Sequence, residues 1–247
     1  MVQGGYNAVI DKSDSVEAHF LDTINGGQWL NNQDLAWKMV CEAPERLLEL
    51  ENRAGCFFDR NPDGTVHQKP FAGQSFDRTV HKGDLTGIEI INRLSEQVAA
   101  MDNVIIGEEM RGVDLLFDRT GQKVSGALLI DLRRGEFIVV EARAVLLATG
   151  GGPTMYKITA PCHDKTCDGI AMGFRAGTTM IDMEMVQFHP TGLLAGSSMI
   201  SGTVLEEGLR GAGAYLLNGK GERYMHHYDP REERATRDVV SRSSFME

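Results

Sequence analysis

The sequence predicts an α/β fold, and three observations predict it. Segments with helical spacing of apolar residues alternate with β-rich runs. An apolar run, Ala144-Val145-Leu146-Leu147-Ala148, leads into Thr149-Gly150-Gly151-Gly152, the pattern of a buried parallel strand that ends in a glycine loop. Between the helices and that run, short β-rich segments separated by turn signals describe an inserted meander.

The elements follow in order. Residues 13–23 read as a helix with Ser13 or Asp14 as N-cap. Asn32-Gln33-Asp34 precedes a second helix, Leu35 to Asn52, with Met39, Val40, Leu47, Leu48 and Leu50 as its apolar members. A loop rich in Gly, Pro, Asp and Asn covers residues 59–73. Gly83-Asp84-Leu85-Thr86-Gly87 introduces a helix from Ile88 to Ala100. Val104–Ile106, Val113–Phe117, Val124–Asp131 and Phe137–Glu141 give a meander of about four strands, with turns at Asp118-Arg119-Thr120-Gly121 and Arg133-Arg134-Gly135. Cys167-Asp168-Gly169 opens a helix from Ile170 to Ala176. After Met183 the chain becomes loop-rich until a hairpin around Asn218-Gly219, and a last helix opens at Ala235-Thr236-Arg237. The chain starts in a glycine turn and stops inside a helical pattern with no glycine cap, which reads as a fragment of a longer protein.

Composition excludes several classes. Of 247 residues, 42% are hydrophobic and 24% charged, which is globular rather than disordered. The net charge of −10 argues against nucleic acid as a partner, because phosphate binding needs a basic face. A small acidic substrate needs only a local cationic pocket and stays open. No apolar run reaches the ~20 residues of a membrane span. Four cysteines are too few for a disulfide scaffold, so a reducing compartment is the default. Cys162 and Cys167, with His163 between them, lack a second ligand pair, and no metal site is expected.

Four motifs carry chemistry. Thr149-Gly150-Gly151 at the end of an apolar strand offers bare backbone where α/β folds bind dinucleotides, although plain structural turns of this kind are common. No G-x-G-x-x-G fingerprint follows a strand. His189-Pro190 holds an imidazole on restricted backbone, able to donate to a carboxylate. Glu207 and Arg210, three residues apart, face one another if their turn is helical. Arg237 stands near a helix N-terminus, an unfavourable place for a cation unless an anion lies close by.

Taken together these motifs resemble the flavoprotein subunit of succinate dehydrogenase and fumarate reductase. Gln3-Gly4-Gly5-Tyr6-Asn7-Ala8 is similar to the flavin-contacting A-Q-G-G-I-N-A turn, and Lys69-Pro70-Phe71-Ala72-Gly73-Gln74-Ser75 to R-P-F-G-G-Q-S. Ala148-Thr149-Gly150-Gly151, Asp168-Gly169, Gln187-Phe188-His189-Pro190-Thr191-Gly192, Glu207-Gly208-Leu209-Arg210-Gly211 and Arg237-Asp238-Val239-Val240-Ser241-Arg242-Ser243 complete the series in family order.

The resemblance implies an FAD-binding Rossmann-like domain over residues 1–183, with its first βαβ unit missing, and the beginning of an α+β capping domain over residues 184–247. It implies FAD as cofactor, near Gln3, Gly4, Gly5, Gln74, Ser75, Thr149, Gly150, Gly151 and Asp168. It implies a dicarboxylate substrate, succinate or fumarate, held by His189, Phe71 and Glu207. Arg237 is the implied proton donor, served by Glu207 and Arg210. An iron–sulfur subunit of a membrane-associated complex is the implied partner, which places the chain in the cytoplasm or on the cytoplasmic membrane face. L-aspartate oxidase shares the second half of the motif set and is the rival reading, with an inactive truncated chain as another. One departure bears on substrate. Glu206 stands where the family often has Thr, and an added anion there repels a dianion unless it points away.

Overall fold

The computed structural model describes residues 4–247, so the expectation for Gln3 lies outside the described residues. The chain divides into two compact units, each described by itself. The first comprises Met1–Asp102, Gln187–Leu193 and Val204–Glu247, and the second Asn103–Val186 and Leu194–Thr203. The expected domain division at residues 183/184 stands as a proposal about the family's domains.

In the first unit, α1 (Val16–Gly26) begins where the Ser15 hydroxyl accepts from Ala18 N, one residue beyond the expected caps. Helix α2 (Gln33–Asn52) is capped by Asn32, whose side chain accepts from Leu35 N. It packs on α1, with Phe20 and Trp37 edge to face at 5.3 Å. Three short strands, β1 (Tyr6–Asn7), β2 (Gln68–Lys69) and β3 (Thr79–Val80), form an antiparallel sheet with β3 central. Tyr6 and Gln68 both register on Val80, and Asn7 and Lys69 on Thr79. This sheet sets Gly4-Gly5 on one side of β3 and the 69–75 segment on the other.

Val80 is fully buried against Leu47, Ala54, Cys56 and Phe58. Beneath the sheet Arg78, 1% exposed, bonds both carboxylate oxygens of Asp14 at 2.9 Å and also Asp22. Removing either charge from so dry a site is costly, so the network fixes α1 against β3. Helix α3 (Thr86–Ala99) follows. The turn α5 (Gly208–Gly211) and the helix α6 (Arg237–Met246) complete the unit around a second core of Tyr224, Met225, Ala235 and Val240. The expected hairpin at Asn218-Gly219 is reduced to a turn and a single bridge, Leu217 to Arg223.

In the second unit, β4 (Met110–Phe117), β5 (Val124–Asp131) and β6 (Glu136–Glu141) form an antiparallel meander in the order β4-β5-β6. Helix α4 (Asp168–Arg175) packs on β4, where Gly112 meets the Met172 side chain. The sequence expectation is corrected at two places here. Val104–Ile106 forms no strand, and Ile105 is 98% exposed, so the meander has three strands rather than four. Ala144–Thr149 is not a strand either. It pairs with no backbone among the described residues, and Leu146 is 90% exposed. A strand is defined by its ladder, and an apolar run without a partner has none. Both sheets among the described residues are antiparallel.

Candidate functional site

Glu207 is the centre of the site in the first unit. It occupies the N-cap position of α5 and is buried. Its Oε1 accepts from Ala72 N at 3.1 Å, which ties α5 to the 69–75 segment. Its Oε2 accepts from Arg237 Nε and lies 3.6 Å from Arg210 Nη2. One carboxylate therefore joins two guanidiniums and a backbone amide. The three-residue spacing of Glu207 and Arg210 brings them together as expected of a helical turn, and burial gives the pair far more weight than a surface ion pair.

Arg210 is 3% exposed. Its Nη1 donates to the Glu233 carbonyl at 2.8 Å, while Nε and Nη2 lack a hydrogen-bond acceptor among the described residues. Burial lowers its pKa from the ordinary guanidinium value, against the pull of Glu207. Glu233 is itself fixed, accepting from Leu216 N at 3.2 Å and Arg223 Nε at 3.0 Å.

Arg237 opens α6, and the anion that its position demanded is Glu207. Its Nη1 donates to Gln187 Oε1 at 3.0 Å. Two anchors fix the guanidinium plane, and the second terminal nitrogen makes no hydrogen bond among the described residues. Arg237 keeps 38% of its side-chain surface exposed, so it faces outward from the buried Glu207–Arg210 pair.

His189 belongs to the same group. Ser241 Oγ, on α6, donates to the Phe188 carbonyl at 2.6 Å and holds the segment that carries it. Thr191 N donates to His189 Nδ1 at 3.3 Å, which assigns the proton of the neutral ring to Nε2. Burial, then the neighbouring Arg237 and Arg210 charges, push its pKa down despite Glu207. Near neutral pH the ring is a neutral Nε2–H donor.

Phe71 lies against the glycine turn, its ring 3.4 Å from the point a β-carbon of Gly4 would occupy. Gly4 has φ +87°, and its carbonyl accepts from the buried Thr86 Oγ1 at 2.6 Å. Gly5 has no room for a side chain, because the Val80 carbonyl fills that space. Thr86, Gln187 and Lys69 also join the site, with no local sequence signal of their roles. Thr86 is the first residue of α3 and the other two lie inside motifs named above, but their partners are distant in the chain.

Gln74 donates to Asn7 Oδ1 at 2.8 Å and Thr79 Oγ1 at 2.9 Å, leaving its buried Oε1 without a donor. Ser75 gives both its N–H and its hydroxyl to Asp22. Gln74 and Ser75 line a cavity of about 470 Å³ with Asp22, Asn25, Gly73, Arg231 and Arg234.

The remaining expected cofactor residues lie in the second unit. Thr149 fills the space beside Gly169 that a β-carbon would need, and Gly150 has φ +72°. Asp168 begins α4 and accepts from Thr166 Oγ1 at 2.8 Å and Arg111 Nη2 at 3.0 Å, which hold its carboxyl below the usual range.

Comparison with known proteins places the chain. The FAD binding domain family matches residues 1–247. An uncharacterized FAD-dependent oxidoreductase of Methanocaldococcus jannaschii is 43% identical over all of this chain and 44% of its own length. A subunit of the fumarate reductase (CoM/CoB) of Methanothermobacter marburgensis is 42% identical over all of this chain and 45% of its own length. Among solved structures, a glutamate-to-glutamine variant of E. coli quinol fumarate reductase superposes with a TM-score of 0.89 at 32% identity, over 99% of this chain and 43% of that one. The chain thus spans less than half the length of these relatives. No helix among the described residues is long and apolar enough to cross a membrane. The chain belongs to the FAD binding domain family, its cofactor is FAD, and it is similar along its whole length to the flavoprotein subunits of fumarate reductase and succinate dehydrogenase.

Proposed function

We propose that the protein interconverts fumarate and succinate, with Arg237 exchanging a proton at the substrate carbon. The observation that carries this reading is one buried carboxylate, Glu207, bonded to Arg237 and in ion-pair contact with Arg210, beside a neutral His189.

The residues present fit a flavin. Gly4 is a positive-φ turn with bare backbone held by Thr86, and Gln74 Oε1 is a buried acceptor with no donor among the described residues. In the first unit, Gly4, Gly5, Gln74 and Ser75 would hold it. When bound, FAD supplies the acceptor and donor of the hydride.

The chain's own residues supply the rest. His189 Nε2–H donates to one substrate carboxylate and draws charge away from the double bond, and Arg210 and Arg237 make the site cationic for a dianion. Phe71 covers the substrate face beside Gly4 and excludes water. Reduction adds one hydride and one proton across the double bond. The proton leaves the guanidinium of Arg237 for the substrate carbon, and Glu207 returns a proton to it, replenished past Arg210. A guanidinium is a poor acid in water. Fixing its plane at Nε and Nη1 aims the remaining N–H and makes transfer to a developing carbanion effective. In succinate oxidation the proton runs the other way.

Whole-protein partners follow from the same reading. An iron–sulfur subunit of a membrane-associated complex exchanges the electrons, and the chain sits in the cytoplasm or on the cytoplasmic membrane face through that partner. The test is dye-coupled oxidation of succinate and reduction of fumarate by the FAD-loaded full-length protein, with L-aspartate as the competing substrate. Flavin reduced by L-aspartate and not by succinate selects the oxidase reading instead.

A further inference from the structure

Glu206 and Glu207 are adjacent, yet their carboxylates diverge. Glu207 turns inward to Arg237 and Ala72 N, whereas Glu206 Oε1 accepts from Lys69 Nζ at 2.9 Å across 137 residues of chain. Lys69 and Glu206 are largely buried, with 18% and 17% of their side chains exposed, so solvent screens them little. Lys69 Nζ also donates to the Gly83 carbonyl at 3.2 Å and lies 5.4 Å above the Phe71 ring. Glu206 Oε1 is 3.9 Å from the point where a β-carbon of Gly4 would stand, the same point that the Phe71 ring approaches to 3.4 Å. The ion pair therefore borders the residue proposed to cover the substrate.

We infer that Lys69 is a specificity-determining residue that cancels Glu206 and so keeps the Phe71–His189–Arg237 site selective for a doubly anionic substrate. The inference rests on the dicarboxylate reading above. With Lys69 paired, the one carboxylate of Glu207 faces the two guanidiniums of Arg210 and Arg237, and these three groups keep a net positive charge for a dianion. With Lys69 removed, a second carboxylate stands beside Phe71 in a poorly screened place, where like charges repel strongly. A substrate carrying an ammonium loses less by that change than one carrying two carboxylates alone. Lys69 acts through Glu206 and touches no reacting atom, so it is a positioning residue.

The experiment uses the FAD-loaded full-length protein and its Lys69→Met, Lys69→Arg, Glu206→Thr and Lys69→Met/Glu206→Thr variants. Malonate, a non-reacting dicarboxylate, is titrated against the flavin absorbance, fumarate KM and kcat are measured, and flavin content and Tm are followed throughout. Lys69→Met should raise the malonate Kd and the fumarate KM about tenfold, from one added like charge at short range, with kcat little changed. Lys69→Arg should stay near wild type, and the double variant should return most of the lost affinity. Equal loss in Lys69→Met and the double variant would show a purely structural role and overturn the inference, as would an unchanged Kd in Lys69→Met. A Lys69→Met protein that fails to fold while the double variant folds and binds malonate supports it, since the stranded Glu206 charge is then the damage. A flavin-loaded wild type that neither binds malonate nor turns over fumarate overturns the dicarboxylate reading, and the inference with it.

Discussion

Glu207 accepts a hydrogen bond from Arg237 Nε across thirty residues of chain, and the same carboxylate oxygen lies 3.6 Å from the buried Arg210. This joins the first turn of α6 to the cap of α5. It makes Glu207 both a structural and a chemical link, and its substitution should show both effects.

Glu207→Gln keeps the size and can still accept from Ala72 N, but it removes the negative charge between two guanidiniums. Breaking a buried pair from one side costs about 3–5 kcal/mol, and the amide's retained acceptor places this variant at the lower end. Denaturant unfolding should show that loss. Turnover should fall by about 10²–10⁴-fold, the range for losing a positioned proton carrier, with FAD still bound. Full stability together with full activity would show that Glu207 neither carries the proton nor holds Arg237.

Thr86→Val preserves shape and deletes the hydroxyl that donates to the Gly4 carbonyl at 2.6 Å and accepts from Lys82 N at 3.0 Å. Buried groups left unpaired cost about 1–3 kcal/mol. FAD affinity should drop while the fold persists, read as a higher flavin dissociation constant with unchanged far-ultraviolet circular dichroism. Unaltered flavin binding would separate the Gly4 turn from the cofactor.

Acid should destabilise the protein before its carboxylates titrate. Burial first, then neighbouring cations, lower the pKa of His189 and His81, and burial with the Arg78 charge lowers that of His19. Their folded pKa values lie below the ordinary value near 6.5, so between the two the unfolded chain binds more protons. The stability they contribute is present above pH ~6.5 and is lost as pH falls toward their folded values. Unfolding free energy should decline as pH falls through about 6.5, and His19→Gln should flatten the decline. A flat profile in the parent protein would contradict these burial effects.

Much of this was legible in the sequence, and the failures have physical causes. Asn32 and the apolar spacing after it announce α2, because a cap and a periodic face are local signals. The motif around Glu207 and Arg210 carried its own pairing for the same reason. Ala144–Thr149 read as a strand because its residues are apolar, but a strand needs a partner that no local pattern supplies. The Lys69–Glu206 pair spans 137 residues and only the folded chain shows it. Gln187 stood two residues from His189, yet its role depends on where α6 delivers Arg237.

In the proposed reaction Arg237 moves the substrate proton. Its most direct measurement is succinate–fumarate interconversion by the FAD-loaded full-length Arg237→Lys protein, alongside flavin content. Lys keeps the charge but loses the planar fork that bonds Glu207 and Gln187 together. Turnover should fall by at least ~10³-fold with FAD still bound, at the scale of losing a proton donor together with its electrostatic support. An Arg237→Lys protein that binds FAD and turns over within tenfold of wild type would show that the proton travels by another route.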